Sequence, residues 1–303
     1  MTPFHLLMMM LPLNALVLSQ VAATNSTINR RPAYGDGHLP GRQLMLETDH
    51  FKEFRTSEKN IVEISGERYQ IGSEIGSGFS GIVYKATHVK TGNPVAIKVT
   101  INNASADSEL RKRATKEIEF LKVLKKSKNV VTILNWGVTD SSVAIVLELC
   151  TMDLEEWMET KNVFEIGFVQ KRVISEFVPF FSSAIQQLRE KYIAHNDLHS
   201  KNILQCGGVW KVSDFDRAVF VKTKGSRLFK DLQFVGKNLK TLVMGNTSYQ
   251  HDAYLKKMLS LGALGTFIRK LLSYQIETLQ EFYDEANEIS SWWKSFARNM
   301  GFP

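Results

Sequence analysis

Between Gly76 and Asp214 the chain carries an ordered succession of glycine and polar signatures, each set inside an apolar run, and this order constrains the fold more than any other feature. The first is Gly76-Ser-Gly78-Phe-Ser-Gly81-Ile-Val83, which follows one strand-like segment and opens another rather than a helix. Glycines at these positions let the backbone approach phosphates closely, and Val83 is placed to cover a planar base. Lys98 follows twenty-two residues after Gly76, flanked by Val95, Ala96, Ile97 and Val99. An ammonium in such an apolar strand interior needs an anionic partner. Glu117, in the next helical segment, is the natural one; Glu119, two residues on, faces elsewhere on a helix.

The second cluster is His195-Asn-Asp197-Leu-His199-Ser-Lys201-Asn202, then Val212-Ser-Asp214-Phe215-Asp216. Two carboxylates and an amide, each beside an apolar run, are what phosphoryl transfer from ATP with Mg²⁺ or Mn²⁺ requires. Asp197 orients the attacking hydroxyl, while Asn202 and Asp214 hold metal. Cations are also needed at the phosphates: Lys98 supplies one and Lys201 is expected to supplement it.

Around these residues the texture changes along the chain. Five strand segments read as YQIGSEI from Tyr69, GIVYKATHV, PVAIKVTI, VVTILNWGV and SVAIVLEL, with one helix over Glu109 to Lys126 between the third and fourth. After about Glu148 to Thr151 the pattern turns largely helical. The expected architecture is α+β and bilobal: a five-stranded antiparallel sheet with one helix over 69–150, and a mainly helical lobe over 151–303. A 303-residue chain that is 44% hydrophobic and 23% charged has enough apolar material for both lobes. Tyr254 to Phe302 continues the helical pattern and ends with Trp292 and Trp293, read as core packing of a final helix. Cys150 and Cys206 are too few for a disulfide scaffold; in their apolar runs they read as small buried hydrophobes.

From about Tyr69 to near its C-terminus the sequence resembles the eukaryotic protein kinase superfamily. The resemblance implies that Gly76, Gly78 and Gly81 form the glycine-rich loop and that Lys98 and Glu117 are the ATP-anchoring ion pair. It further implies Leu147 as gatekeeper, Glu148 to Cys150 as the nucleotide-binding hinge, Asp197 as the catalytic aspartate, and Asn202 and Asp214 as metal ligands. Asp231-Leu-Gln-Phe-Val-Gly236 resembles the buried helix that anchors the catalytic loop.

There are departures. Asn196 stands where many kinases place arginine, which argues against switching by a phosphorylated activation loop. His199 stands where serine/threonine kinases keep lysine, and the run around it is similar to the loop of aminoglycoside and choline kinases. Asp216 replaces the glycine of Asp-Phe-Gly, only sixteen residues separate Asp214 from Asp231, and no Ala-Pro-Glu follows. The nucleotide half reads as intact and the acceptor half as cut down. The leading expectation is a serine/threonine protein kinase; a non-catalytic kinase-shaped binder and a small-molecule kinase are the alternatives.

Residues 1–23 read as a signal peptide, with an apolar stretch from Phe4 to Leu18 broken by Pro12. Residues 24–60 read as a polar arm. Arg42-Gln-Leu44-Met45, acidic residues after it, and Gly66-Glu67-Arg68 resemble, in degenerate form, the Arg-x-Leu-Arg and Glu-Glu-Arg motifs of secreted oomycete effectors. That resemblance implies secretion, delivery into a host cell and a protein partner or substrate there. Asn25, Asn103 and Asn246 begin glycosylation sequons. The mature form is expected to have no membrane span and to be a monomer. A net charge of +7 is spread without a basic block, which leaves nothing pointing to nucleic acid.

Overall fold

The computed structural model describes residues 49–101, 109–140, 142–160, 172–225, 227–244 and 260–299. The 1–23 segment, the 42–45 motif and all three sequons lie outside the described residues. The first lobe is built on a six-stranded antiparallel sheet: β1 (Ile61–Ile64), β2 (Glu67–Gly78), β3 (Gly81–His88), β4 (Pro94–Ile101), β5 (Ile133–Val138) and β6 (Ser142–Glu148). Their order is β1-β2-β3-β4-β6-β5. The helix α1 (Glu109–Val123) buries Ala114, Glu117, Ile118 and Leu121, the i, i+3, i+4, i+7 stripe that helical spacing predicts. Val123, at the end of the helix, falls off that stripe and is exposed.

Two features of this lobe differ from the sequence reading. All five expected strands form, and β1 adds a sixth, too short to register in a polar stretch. It is joined to β2 by the two-residue turn Ser65-Gly66, both at positive φ (48° and 80°), the geometry that two-residue hairpins favour. Residues 66–68, read as a motif remnant, are thus the turn and the start of a paired strand, with Arg68 opposite Glu63 and Glu67 opposite Ile64. The lobe also begins earlier than residue 69. Asp49–Phe54, assigned to the arm, is a 3₁₀ turn whose Phe51 and Phe54 are buried, Phe51 against Tyr84 at 5.2 Å between ring centroids. Gly137 makes room for it, since a Cβ there would lie 2.8 Å from Phe54 Cε1.

The second lobe begins with β7 (Met152–Asp153) and α2 (Leu154–Thr160). A π-helical turn over Val173–Phe177 leads into α3 (Val178–Glu190), which has Pro179 in its first turn, where a missing N–H costs nothing. Then come β8 (Ile193–Ala194), β9 (Ile203–Cys206), β10 (Val209–Val212), β11 (Val219–Phe220), α4 (Leu228–Met244), α5 (Gly262–Leu272) and α6 (Leu279–Asn299). The short strands form two small sheets, β10-β9-β7 and β11-β8. Between them runs the chain from Asn196 to Asn202. The core of this lobe gathers Phe177, Phe181, Ile185, Leu188, Val235 and Phe267, all fully enclosed or nearly so. Helix α4 meets α5 at Gly236, where a Cβ would come within 2.8 Å of Leu271 Cβ. On α6, Trp293 packs against the core while Trp292 stays 54% exposed, its ring 6.5 Å from that of Trp293. Among the described residues no helix is long and apolar enough to cross a membrane.

Candidate active site

The sheet register brings the first cluster together. Val83 on β3 lies opposite both Gly76 on β2 and Lys98 on β4, and directly opposed residues share a face of an antiparallel sheet. Gly81 is the glycine with a steric reason in this loop: at φ 145° a Cβ would lie 2.3 Å from the Val99 carbonyl oxygen. A Cβ at Gly76 or Gly78 would meet nothing within 4 Å, so those two border open space.

Lys98, 6% exposed, donates to Glu117 Oε2 at 2.8 Å and to Asp214 Oδ1 at 2.7 Å. Burial alone would lower the pKa of the ammonium. The charges of Glu117 and Asp214 outweigh burial and hold it above the ordinary lysine range, so Lys98 stays protonated. Burial pushes Glu117 up against the pull of Lys98, while at Asp214 the lysine prevails and the carboxyl sits below its usual range. One ammonium between two carboxylates favours the ionised form of the partner less enclosed by protein, which is Asp214. The other oxygen of Glu117 accepts the Phe215 N–H at 3.3 Å. That hydrogen bond closes α1 onto the segment after β10. Phe215 is fully buried, its ring against His195 at 4.7 Å, and Asp214 takes a left-handed φ of 58°. Such a backbone costs about 1–3 kcal/mol in a non-glycine residue and persists only where its surroundings enforce it.

The second cluster hangs from one buried carboxylate. Asp231 on α4 has no exposure; its Oδ2 accepts Arg189 Nη2 at 2.6 Å and the His195 N–H at 3.1 Å, and its Oδ1 accepts the Asn196 N–H at 2.7 Å. Two helical turns on, Asn238 donates to the Leu198 carbonyl at 2.7 Å. His195 donates from Nε2 to the Ser213 carbonyl at 3.0 Å, and its Nδ1 accepts the Asp197 N–H at 3.3 Å. Burial keeps this imidazole below its ordinary pKa, in accord with the neutral tautomer those contacts require. Asn202 donates from Nδ2 to the Asp197 carbonyl at 2.9 Å, and its own carbonyl accepts the Ser213 N–H at 2.9 Å. Asp197, Asn202 and Asp214 are therefore set by backbone ties to one another. Asp197 Oδ2 lies 3.7 Å from His199 Nε2 and 3.6 Å from Arg217 Nε.

A family model for the protein kinase domain matches residues 69–300. The chain belongs to the protein kinase family. Its curated relatives include cyclin-dependent kinase 7 of Dictyostelium discoideum, 32% identical over 157 residues that cover 50% of this chain and 42% of that protein. The serine/threonine-protein kinase atg1 of Aspergillus clavatus is 28% identical over 156 residues, covering 46% and 17%. Cell division control protein 2 homolog 1 of Trypanosoma brucei brucei is 30% identical over 139 residues, covering 46% and 44%. The chain spans less than half the length of these relatives.

Within this kinase domain three expected site residues have further contacts. Lys201 is exposed, with Nζ 3.8 Å from Glu155 Oε1 on α2, and Ser200 Oγ donates to the same carboxylate at 2.8 Å. The Glu148 side chain accepts the Thr132 N–H and Lys211 Nζ, each at 2.6 Å. Burial works against ionisation there, but those two donors overcome it and lower the carboxyl's pKa. Cys150 is not a free thiol, for it forms a disulfide with Cys206 at the end of β9. The two sit 56 residues apart in sequence, and a Cα–Cα distance of 4.2 Å brings them together because β7 pairs with β9 just beyond the hinge. No local signal encodes that pairing.

Arg217, Asn238 and Lys211 were absent from the sequence reading. Asn238 had a usable signal, since it lies seven residues after Asp231 on the same face of an otherwise apolar helix stripe. Asn196 replaces the usual arginine with a different tie: buried at 3% exposure with φ 65°, it donates from Nδ2 to the Arg217 carbonyl at 3.1 Å.

Proposed function

We propose that this kinase domain is an ATP-dependent serine/threonine protein kinase, exported from the cell that makes it and directed at a protein of a host cell. The observation that carries the catalytic part is Lys98 clasped between Glu117 and Asp214 while the Phe215 N–H binds Glu117. A cation, its two carboxylates and the metal-loop backbone thereby occupy one cleft. The donor set suits ATP and a divalent cation. Asn202 commits its NH₂ to the loop, which leaves its amide oxygen, like the Asp214 carboxylate, as an oxygen donor for a metal, and open space borders Gly76 and Gly78. When bound, Mg²⁺ or Mn²⁺ neutralises charge on the phosphates.

This chain's own residues do the rest. Lys98 grips the nucleotide phosphates and is itself held by Glu117. Asp197 orients the acceptor hydroxyl and takes its proton on Oδ2, the oxygen flanked by His199 and Arg217. With Lys201 drawn to Glu155, Arg217 is the cation nearest that oxygen and offsets the negative charge gathered there. Export is supported by the apolar segment from Phe4 to Leu18, and by a disulfide, a bond characteristic of oxidising compartments. The host-cell destination rests on the resemblance of residues 42–45 alone.

The test is transfer of labelled γ-phosphate from ATP by the full chain, with Mg²⁺ or Mn²⁺ and a cell lysate as acceptor pool, beside the Asp197→Ala protein. Labelled protein bands that vanish in the variant are expected. Equal labelling by both proteins would sink the assignment. A second reading is a kinase-shaped binder without turnover. It is favoured by the short stretch between Asp214 and Asp231, part of which is already occupied in pairing β11 with β8. ATP binding with no label in either protein would select it.

A further inference from the structure

The four residues that join the lobes, Glu148 to Thr151, are tied to the β9–β10 hairpin three times over. Glu148 pairs with Lys211 on β10 at 2.6 Å. Thr151 donates from both its backbone N–H and its hydroxyl to the Gln205 carbonyl, at 2.8 and 3.0 Å. Between them Cys150 is bonded covalently to Cys206. The strand that Cys206 ends begins directly after Asn202, so one cross-link spans from the hinge to the piece of backbone that carries Asn202. These are the chain's only two cysteines, so no third thiol is available to exchange with the bond.

We infer that the Cys150–Cys206 disulfide is a redox-sensitive positioning element of the nucleotide site. Oxidised, it holds the hinge against the hairpin; reduced, it releases Cys150 and weakens nucleotide binding. The inference rests on reading the cleft as a nucleotide site. Cys206 is 3% exposed whereas Cys150 is partly open, so a dithiol reductant reaches the Cys150 sulfur first. Its thiolate attacks that sulfur and Cys206 leaves as thiolate. The reductant's second thiolate then displaces Cys150 and closes its own disulfide. Two electrons and two protons pass from the dithiol to the cysteines. The Glu148–Lys211 pair and the Thr151–Gln205 hydrogen bonds do not depend on the bond, so the lobes stay joined. What is lost is the pre-set position of the intervening backbone, and pre-organisation of this kind contributes directly to affinity.

The experiment titrates a fluorescent ATP analogue with Mg²⁺ into the full chain, oxidised and after dithiothreitol, alongside Cys150→Ser and Cys206→Ser. Hydrogen exchange of the amides at 149–152 is followed in the same samples. Binding is expected to weaken about tenfold on reduction and in both variants, with no further response of the variants to reductant and with faster exchange at 149–152. If Cys206→Ser fails to fold, reduction of the unaltered chain and Cys150→Ser still decide the matter. Equal affinity in oxidised and reduced protein overturns the inference, as does alkylation of two thiols in the untreated chain. An oxidised protein that binds no nucleotide overturns the reading of the cleft instead. Exchange at 149–152 then decides the hinge role: acceleration on reduction sustains it and no change refutes it.

Discussion

Two carboxylates of the site, Asp214 and Asp197, are held in opposite ways. Asp214 is clamped through its side chain, at 2.7 Å from a lysine that is 6% exposed. Asp197 is clamped through its backbone, by Asn202 and His195, while its side chain has the half-exposed Arg217 guanidinium at 3.6 Å and the His199 ring at 3.7 Å. The first arrangement pre-organises charge in a sheltered place, where electrostatic interactions are strong. The second fixes where the carboxylate is and leaves its oxygens to an incoming group. Under the proposed function this is a nucleotide side built in advance and an acceptor side left adjustable, which is what a transferase with one constant and one variable substrate needs.

The sharpest way to break this contrast is Asp197→Asn. Turnover is expected to fall by about two to four orders of magnitude with ATP affinity nearly unchanged, read by γ-phosphate transfer and nucleotide titration. Loss of ATP affinity to the same degree would mean that the two sides are not separate. Next in size is Asp231→Ala, which leaves the Arg189 guanidinium buried without this carboxylate and frees two backbone N–H groups of the loop. Denaturant unfolding should show a loss of about 3–5 kcal/mol.

Arg217→Gln sharpens the comparison from the acceptor side. A drop of about tenfold in kcat, with little change in KM for ATP or in melting temperature, is the expected outcome, partly restored in Arg217→Lys. Lys201→Ala should leave transfer rates unchanged and stability within about 0.5 kcal/mol, since its partner Glu155 is a partly exposed surface contact. A pH-dependent effect concerns Glu148. Its pKa is lowered from 4.5 in the fold, so the folded chain binds fewer protons there than the unfolded one. That contribution is present above about pH 4.5 and is lost as pH falls through the folded value. Lys211→Met should therefore lose stability relative to the unaltered chain at pH 7, with the gap narrowing in acid, as thermal melts at several pH values would show.

What the sequence disclosed follows from the range of the interactions involved. The strand runs, the stripe on α1 and the order Lys98, Glu117, Asp197, Asn202, Asp214 were legible because each is a local pattern, and their succession narrows the ways they can meet. The contact of Lys201 with Glu155, 46 residues earlier, left no local signal because the helix that carries Glu155 is placed by packing. Arg217 escaped for a similar reason: its backbone is pinned by Asn196, a residue read only for the arginine it replaces. The disulfide depends on a hinge turn and a hairpin register together, and neither leaves a mark in composition.

The buried Phe51 and Phe54 have a practical corollary for anyone handling the protein. The kinase homology starts at Tyr69, yet shortening the chain to that point would remove two aromatic plugs together with β1, and starting it at residue 60 would leave a hollow lined by Tyr84, Ile64 and the bare backbone of Gly137. Emptying an aromatic site of this kind costs about 3–5 kcal/mol per ring, a large share of what keeps a domain folded. A protease or a cloning boundary that respects the lobe has to fall ahead of Asp49.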